Sequence, residues 1–219
     1  MPLTCLAIVL SALAASPSSA PAPNVGLGKD GGKDLGKVTD GRPQIEAYLA
    51  VHDVSSAAGL RALAAAPEKA LMAIASDPAA EGLIRSRAVA ALRLVATQEV
   101  RVFLGKLIQT KAKATDTTDR LIVRRAAVAL GWMAGSGTVE QLAMLFDNED
   151  AEVRLDAAIG LGLTRSATAA TYLRRQLAVE SSPRVRDQIE RQLRALDESP
   201  VEPEKAPAPP KGQPLRGSW

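Results

Sequence analysis

The stretch AEVRLDAAIGLGLTRS, residues 151–166, contains the closely spaced glycines Gly160 and Gly162, and its interpretation decides the fold. A phosphate-binding loop would require a β-strand before these glycines and a helix after them. Instead, apolar residues recur at every fourth position, as along one stripe of an α-helix. These residues are Val153, Ala157 and Leu161. The sequence therefore predicts that both glycines lie inside a helix, where they allow a neighbouring helix to approach closely.

The same apolar pattern occurs in three other segments, residues 83–96, 121–134 and 184–197. The first apolar position of each copy falls at Ile84, Ile122, Val153 and Val185, so the copies are 38, 31 and 32 residues apart. Another leucine follows twelve residues after the last position of the first three copies, inside a second amphipathic segment. These leucines are Leu104, Leu142 and Leu173. A repeat of this length with two helical segments predicts a series of helical hairpins.

The ends of this array are less regular. Residues 56–78 are interpreted as an earlier, degenerate hairpin, with Pro67 in the first turn of its second helix. Helices over Pro43–Val51 and Pro183–Leu196 are expected to cap the two ends. Aromatic residues make up only 3% of the chain, which suits closely packed helices better than a β-sandwich. We therefore predict an all-α fold, an α-solenoid of about four hairpins over residues 44–196.

The segments VRRAAVALG (123–131) and VRLDAAIGLG (153–162) resemble HEAT repeats, in particular the short HEAT-like repeats of bacterial proteins first named from phycobilin lyase subunits. The resemblance extends over about residues 55–196. It implies an interaction scaffold, since proteins of this class mainly bind other proteins. Because the Val-Arg pair is displaced by one residue between the two segments, it is open whether Arg124 and Arg154 are structurally equivalent.

The flanking segments differ from the repeats in composition. Residues 1–20 combine an apolar run from Leu6 to Ala15 with small residues and prolines, which predicts a signal peptide and an exported protein, periplasmic or secreted. Cleavage would remove Cys5, the only cysteine, and would leave no stable membrane insertion. Residues 21–43, rich in Gly, Lys and Asp, are predicted to form a flexible linker. Residues 197–219, which are proline-rich and include Trp219, are predicted to be a disordered tail.

No catalytic, cofactor or metal site is predicted. His52 is the only histidine and has no neighbouring cysteine or carboxylate cluster of the kind that zinc requires, so it is interpreted as part of a helix junction with Asp53 or Ser55 as an N-cap. The acidic segment 147–153 lacks the order of ligands in a calcium loop and is interpreted as a helix cap. The net charge of +3 does not select a partner.

The leading functional prediction is a non-enzymatic scaffold that binds another protein. The second helices of HEAT-type hairpins line the concave surface, so their polar residues are the candidate contacts. These candidates are Arg101, Lys106, Glu140, Gln141, Tyr172, Arg174 and Arg175. A function for the longer connection at residues 110–119 and the oligomeric state stay open.

Two other functions are considered. The pairs Arg124-Arg125 and Arg174-Arg175 suggest nucleic-acid binding, but the predicted export and the few aromatic residues argue against it. A lyase-like or chaperone-like accessory subunit follows only from the family resemblance.

Overall fold

The computed structural model describes residues 41–54, 56–135 and 137–198, and most of this part of the chain is helical. No described residue lies in a β-strand, and the all-α prediction is confirmed. Short 3₁₀ turns span Leu92–Val95 and Met144–Asp147. The α-helices in chain order are α1 (Arg42–Val51), α2 (Ala57–Leu63), α3 (Pro67–Ser76), α4 (Gly82–Ala91), α5 (Gln98–Lys111), α6 (Thr117–Met133), α7 (Thr138–Ala143), α8 (Ala151–Leu163), α9 (Ala167–Val179) and α10 (Pro183–Glu198).

Several predictions on the flanking segments lie outside the described residues. These are the signal peptide 1–20, the part of the linker before residue 41, and the tail beyond residue 198, with Trp219. Within the described part, α1 begins two residues before the predicted repeat domain and α10 ends two residues after it. Pro43 fits the first turn of α1, where its missing N–H leaves no hydrogen bond unmade.

The helices form two rows. The first row consists of α1, α4, α6, α8 and α10, and the most extensive packing in the fold joins α6 to α8, α8 to α10 and α4 to α6. The second row consists of α3, α5, α7 and α9, and each of these helices packs against the first-row helix that follows it. The four second-row helices in the described part of the chain agree with the predicted number of about four hairpins.

Neighbouring first-row helices run parallel. Arg120, Arg124 and Gly131 of α6 meet, in the same order, the α8 N-cap Asp150 and then Asp156 and Gly160 of α8. Between α8 and α10, Glu152 meets Arg184 and Gly162 meets Gln192. The carboxyl ends of these helices therefore lie at one side of the array.

The first hairpin differs from the prediction. The first-row position before α3 is occupied by α1, which packs against both α3 and α4, whereas α2 packs mainly against α1 and α3. The N-cap was also assigned wrongly, because α2 is capped by Ser56, whose Oγ accepts a hydrogen bond from the backbone N–H of Gly59 at 3.1 Å. Asp53 instead forms a salt bridge of 3.3 Å with Arg87 of α4. The short α2 thus serves as a connection between α1 and α3.

The core follows the repeated apolar columns. The first column is buried throughout, as are the leucines of the second-row helices. A Cβ atom placed on Gly131 would lie 2.3 Å from the carbonyl oxygen of Gly160, so these glycines allow α6 and α8 to approach. The acidic segment is a helix cap, as predicted: the Asp150 carboxylate accepts a hydrogen bond from the N–H of Glu152 at 2.8 Å.

Candidate interaction surface

The second-row helices share one exposed stripe. Their aligned leucines, Leu104, Leu142 and Leu173, are fully buried, and the positions two before and two after each leucine point to the opposite side. All six of these positions are exposed. We call this stripe the second-row face, and it consists of Val102, Lys106, Glu140, Met144, Thr171 and Arg175.

Five of the seven candidate residues lie on or beside the second-row face. Lys106, Glu140 and Arg175 belong to it, while Gln141 and Tyr172, each one position before its leucine, border it and are half-buried. The Gln141 amide covers Gly105, where a Cβ atom would lie only 2.8 Å away, so this side chain links α7 to α5. The Arg175 guanidinium carbon lies 6.0 Å from the centre of the Tyr172 ring. The structure thus places these five residues along one side of α5, α7 and α9.

The other two candidates point elsewhere. Arg101 donates hydrogen bonds to the Gln98 side chain at 2.9 Å and to the Met133 carbonyl at 3.4 Å, so it ties α5 to the end of α6. Arg174 donates to the Asp197 carboxylate at 3.3 Å and faces α10. Arg101 lies three positions before Leu104, and Arg174 lies one position after Leu173. Because of these positions, both side chains point away from the exposed stripe.

Two apolar residues of the second-row face were not among the candidates. Val102 is 46% exposed and Met144 is 51% exposed, and each shares its face with a charged residue four positions away, Lys106 and Glu140 respectively. A surface with apolar side chains between charges of both signs is typical of protein-binding sites. Counting two positions in either direction from each leucine would have found both residues in the sequence.

The opposite row carries a ladder of ion pairs at the amino ends of its helices. In each step, an arginine of one first-row helix binds an acid that lies in the next first-row helix or in the connection leading to it: Arg42 with Asp77, Arg85 with Asp119 at 4.0 Å, Arg120 with Asp150 at 2.9 Å, and Arg154 with Glu180 at 2.7 Å. Hydrogen bonds from the Arg42 side chain and the Ala79 N–H lower the pKa of Asp77 below its usual value. The ladder joins successive repeats by ion pairs, so each of these arginines already has an acidic partner within the fold.

Arg124 and Arg154 are not equivalent. Arg154 belongs to the ladder and also donates to the carbonyls of Asn148 and Glu149, both at 2.9 Å. Arg124 instead reaches across to α8, where it binds Asp156 at 2.6 Å and Glu152 at 3.0 Å. Burial raises the pKa of Asp156 in spite of this pair. Arg124 and Arg174 are both salt-bridged, so within the described residues only one arginine of each pair that suggested nucleic-acid binding is without a salt bridge.

Three further observations concern His52, metal binding and helices that could cross a membrane. His52 caps the end of α1, and its ring centre lies 5.2 Å from that of Tyr48. Among residues 41–54, 56–135 and 137–198, no group of three or more His, Cys, Asp or Glu side chains could hold a metal ion. Over the same ranges, no helix combines the length and the apolar character needed to cross a bilayer.

Part of the chain matches a known protein family. The sequence model of the family described as HEAT repeats matches residues 112–194, which cover α6 to α9 and most of α10. Comparisons with curated proteins and with solved structures found no match. The family match and the two-row helical packing together support a HEAT-like repeat protein.

Proposed function

We propose that this chain, whose residues 112–194 match HEAT repeats, is a non-enzymatic scaffold that binds another protein through its second-row face. Proteins built from such repeats use extended concave surfaces for binding, and the second helices line that side. The observation that carries the proposal is the second-row face itself, where the exposed Val102 and Met144 lie among Lys106, Glu140 and Arg175.

The geometry of this face suits recognition of an extended surface on a partner. The face runs over three helices and carries two cations and one anion, so a partner can match it by apolar contact and by charge. Tyr172 and Arg175 lie together at one end, and both residue types are frequent in the energetically dominant positions of interfaces. Because the helices are fixed by buried leucines and by the ion-pair ladder, little conformational entropy is lost on binding.

In this proposal, the protein acts in the bacterial envelope or is secreted from the cell. Its support is the sequence of residues 1–20, with an apolar run too short to span a bilayer followed by small residues and prolines. Fractionation of the tagged chain in its host tests this part: we expect a product shortened at its amino end outside the cytoplasm, and a full-length cytoplasmic product would refute export.

A site-specific cross-linking experiment tests the binding surface. A photoreactive amino acid at Met144 should capture a defined partner protein in the host, and Arg175→Glu should abolish this capture because the cation by Tyr172 is lost. Arg174→Glu is the matched control, since the neighbouring side chain faces Asp197 and lies off the second-row face. Equal loss with both variants, or capture that neither affects, would contradict the assignment of this face.

A further inference from the structure

A groove lies between α4 and α6 in the first row. Gly82 lies beside Thr118, and Arg93 lies beside Trp132, so the two helices run parallel and the groove follows both of them. Its volume is about 600 Å³. Trp132, near the end of α6, lines the groove and is 58% exposed, and Leu83 is 47% exposed. We call this feature the Trp132 groove. Large apolar side chains exposed beside a groove indicate a binding site.

The lining of the Trp132 groove follows the period of an α-helix. On α6 the lining residues are spaced three or four apart, so they form one stripe: Leu121, Arg125, Val128 and Trp132. The stripe on α4 has the same spacing and includes Leu83, Arg87 and Ala90. At a rise of 1.5 Å per residue, the α6 stripe is about 16 Å long. Two parallel stripes of this kind form a surface on which a third helix can pack with its ridges in the groove.

Two of the three arginines in the groove have acidic neighbours. Arg87 forms a salt bridge of 3.3 Å with Asp53, which also lines the groove. Arg125 interacts with an acid of α8, but that acid belongs to a cluster in which three arginines share two carboxylates. The arginines are Arg124, Arg125 and Arg184, and the acids are Glu152 and Asp156. Arg87 is therefore compensated, and Arg125 is compensated in part.

The third arginine, Arg93, lies at the Trp132 end of the groove. Its guanidinium carbon is 6.0 Å from the centre of the Trp132 ring. Within the described ranges 41–54, 56–135 and 137–198, Arg93 forms no salt bridge and donates no side-chain hydrogen bond. A guanidinium group binds a carboxylate through two parallel hydrogen bonds, while its alkyl stem can contact apolar groups. This end of the groove therefore combines an apolar surface with an uncompensated cation.

We propose that the Trp132 groove binds an acidic amphipathic helix of another protein. The apolar side of that helix packs on Val128 and the Trp132 indole, and a carboxylate beside it binds Arg93. In α8, the repeat positions of Leu121 and Arg125 carry acids, so repulsion keeps an acidic helix over α4 and α6. Nucleic acid is also negatively charged, but its phosphates and sugars would leave the apolar stripes without apolar partners.

Synthetic peptides test the proposal on the full chain. Trp219→Phe leaves Trp132 as the only tryptophan, so the emission of this residue reports on the groove. The probe is a helical peptide of about 15 residues with leucines along one side and glutamates beside them. One control peptide has lysine in place of glutamate, and another has the same composition in scrambled order. We expect a saturable blue shift with the glutamate peptide and about tenfold weaker binding of the lysine peptide, because like charges repel.

A charge reversal assigns the contact to Arg93. Arg93→Glu should make the lysine peptide bind more tightly than the glutamate peptide. Arg175→Glu is the matched control, because Arg175 lies at the same distance of 6.0 Å from an aromatic ring, that of Tyr172, but on the second-row face. This control should leave the order of the two peptides unchanged, and it also keeps this proposal separate from that for the second-row face.

Three results would overturn the proposal. They are the absence of a saturable response, equal binding of the scrambled peptide, and an unchanged order of the peptides in Arg93→Glu. A single-stranded oligonucleotide serves as a further probe. A saturable response to it, with none to the glutamate peptide, would assign the groove to nucleic acid and would also overturn the proposal.

Discussion

At the scale of single residues, the pair between Arg154 and Glu180 is the most enclosed part of the ion-pair ladder. Their side chains are 13% and 1% exposed, and two hydrogen bonds of 2.7 and 2.9 Å join the guanidinium to the carboxylate. Gln176 and the N–H of Ser182 also donate to Glu180, at 2.8 and 2.9 Å. These bonds, with that from Arg154 the largest cause, lower the pKa of Glu180 to about 2.

Replacing Glu180 should therefore destabilise the fold. Glu180→Gln removes the negative charge and leaves the Arg154 guanidinium buried without its counter-charge, which costs about 3 kcal/mol in comparable buried pairs. Urea denaturation at neutral pH measures the change in the free energy of unfolding. Asp197→Asn is the control, because its pair with Arg174 is 67% and 58% exposed and such pairs contribute about 0 to 1 kcal/mol. Equal losses in the two variants would contradict the special role of the enclosed pair.

The same pair predicts a pH dependence with a definite sign. The pKa of Glu180 falls from its ordinary value of 4.5 to about 2 on folding, so the native state binds the proton less readily than the unfolded chain. The stabilisation is complete above pH 4.5 and is lost as the pH falls from there towards 2. Glu180→Gln should show a smaller loss of stability over this range, and an unchanged acid profile would refute this contribution.

At the scale of helices, Gly131 of α6 lies directly against the backbone of Gly160 of α8. Gly131→Ala would place its Cβ atom 2.3 Å from a backbone carbonyl, so the two helices must separate. We expect a loss of about 2 to 3 kcal/mol in the free energy of unfolding, as for other overpacked cores. Thermal or urea denaturation measures this loss.

Gly162→Ala is the matched comparison because Gly162 occupies the same position of the repeat in α8. Its Cβ atom would meet only the side-chain amide of Gln192, at 2.0 Å, and that side chain can rotate away. The gain of about 1 kcal/mol in helix propensity then offsets much of the cost. If Gly131→Ala is as stable as Gly162→Ala, the close packing of α6 against α8 does not require a glycine at position 131.

Sequence patterns predicted the repeated helices far better than the first hairpin. From α4 onwards, each apolar column has a partner column one repeat away, and the helices formed as expected. In residues 56–78, the same residue types predict helices but do not determine their packing partners, so α2 was given the place that α1 occupies. The 3₁₀ turns after α4 and α7 were not predicted, since apolar spacing does not distinguish the last turn of an α-helix from a tighter one.

The sequence predicts the candidate surface only when the position of each residue relative to the buried leucine of its helix is taken into account. Choosing polar residues on second helices found Lys106, Glu140 and Arg175, but it also included Arg101 and Arg174, whose register turns them towards neighbouring helices. The ladder partners lie 26 to 35 residues apart, close to one repeat, as for Arg154 with Glu180 and Arg42 with Asp77. Such pairs depend on how helices stack, and the apolar pattern of a single repeat does not contain that information.

At the scale of the whole described array, stability should vary with the number of neighbouring helices. In stacked repeats, each unit is held mainly by its neighbours. Helix α8 packs against α6, α10, α7 and α9, whereas the seven-residue α2 packs mainly against α1 and α3. Native-state hydrogen exchange should therefore show the slowest amides in α6 and α8 and the fastest in α2. Equal protection of all helices would indicate one cooperative unit in place of coupled neighbours.

Hydrogen exchange in the Gly131→Ala variant tests whether a defect at one interface spreads to distant helices. Separating α6 from α8 weakens the central interface, so exchange should accelerate first in these two helices and in α7 between them. Amides of α1 and α3 should keep their rates as long as the variant unfolds locally, because those helices contact neither member of the altered pair strongly. Acceleration of the same size in α1 and in α8 would mean that opening is global and that the repeats do not behave as separable neighbours.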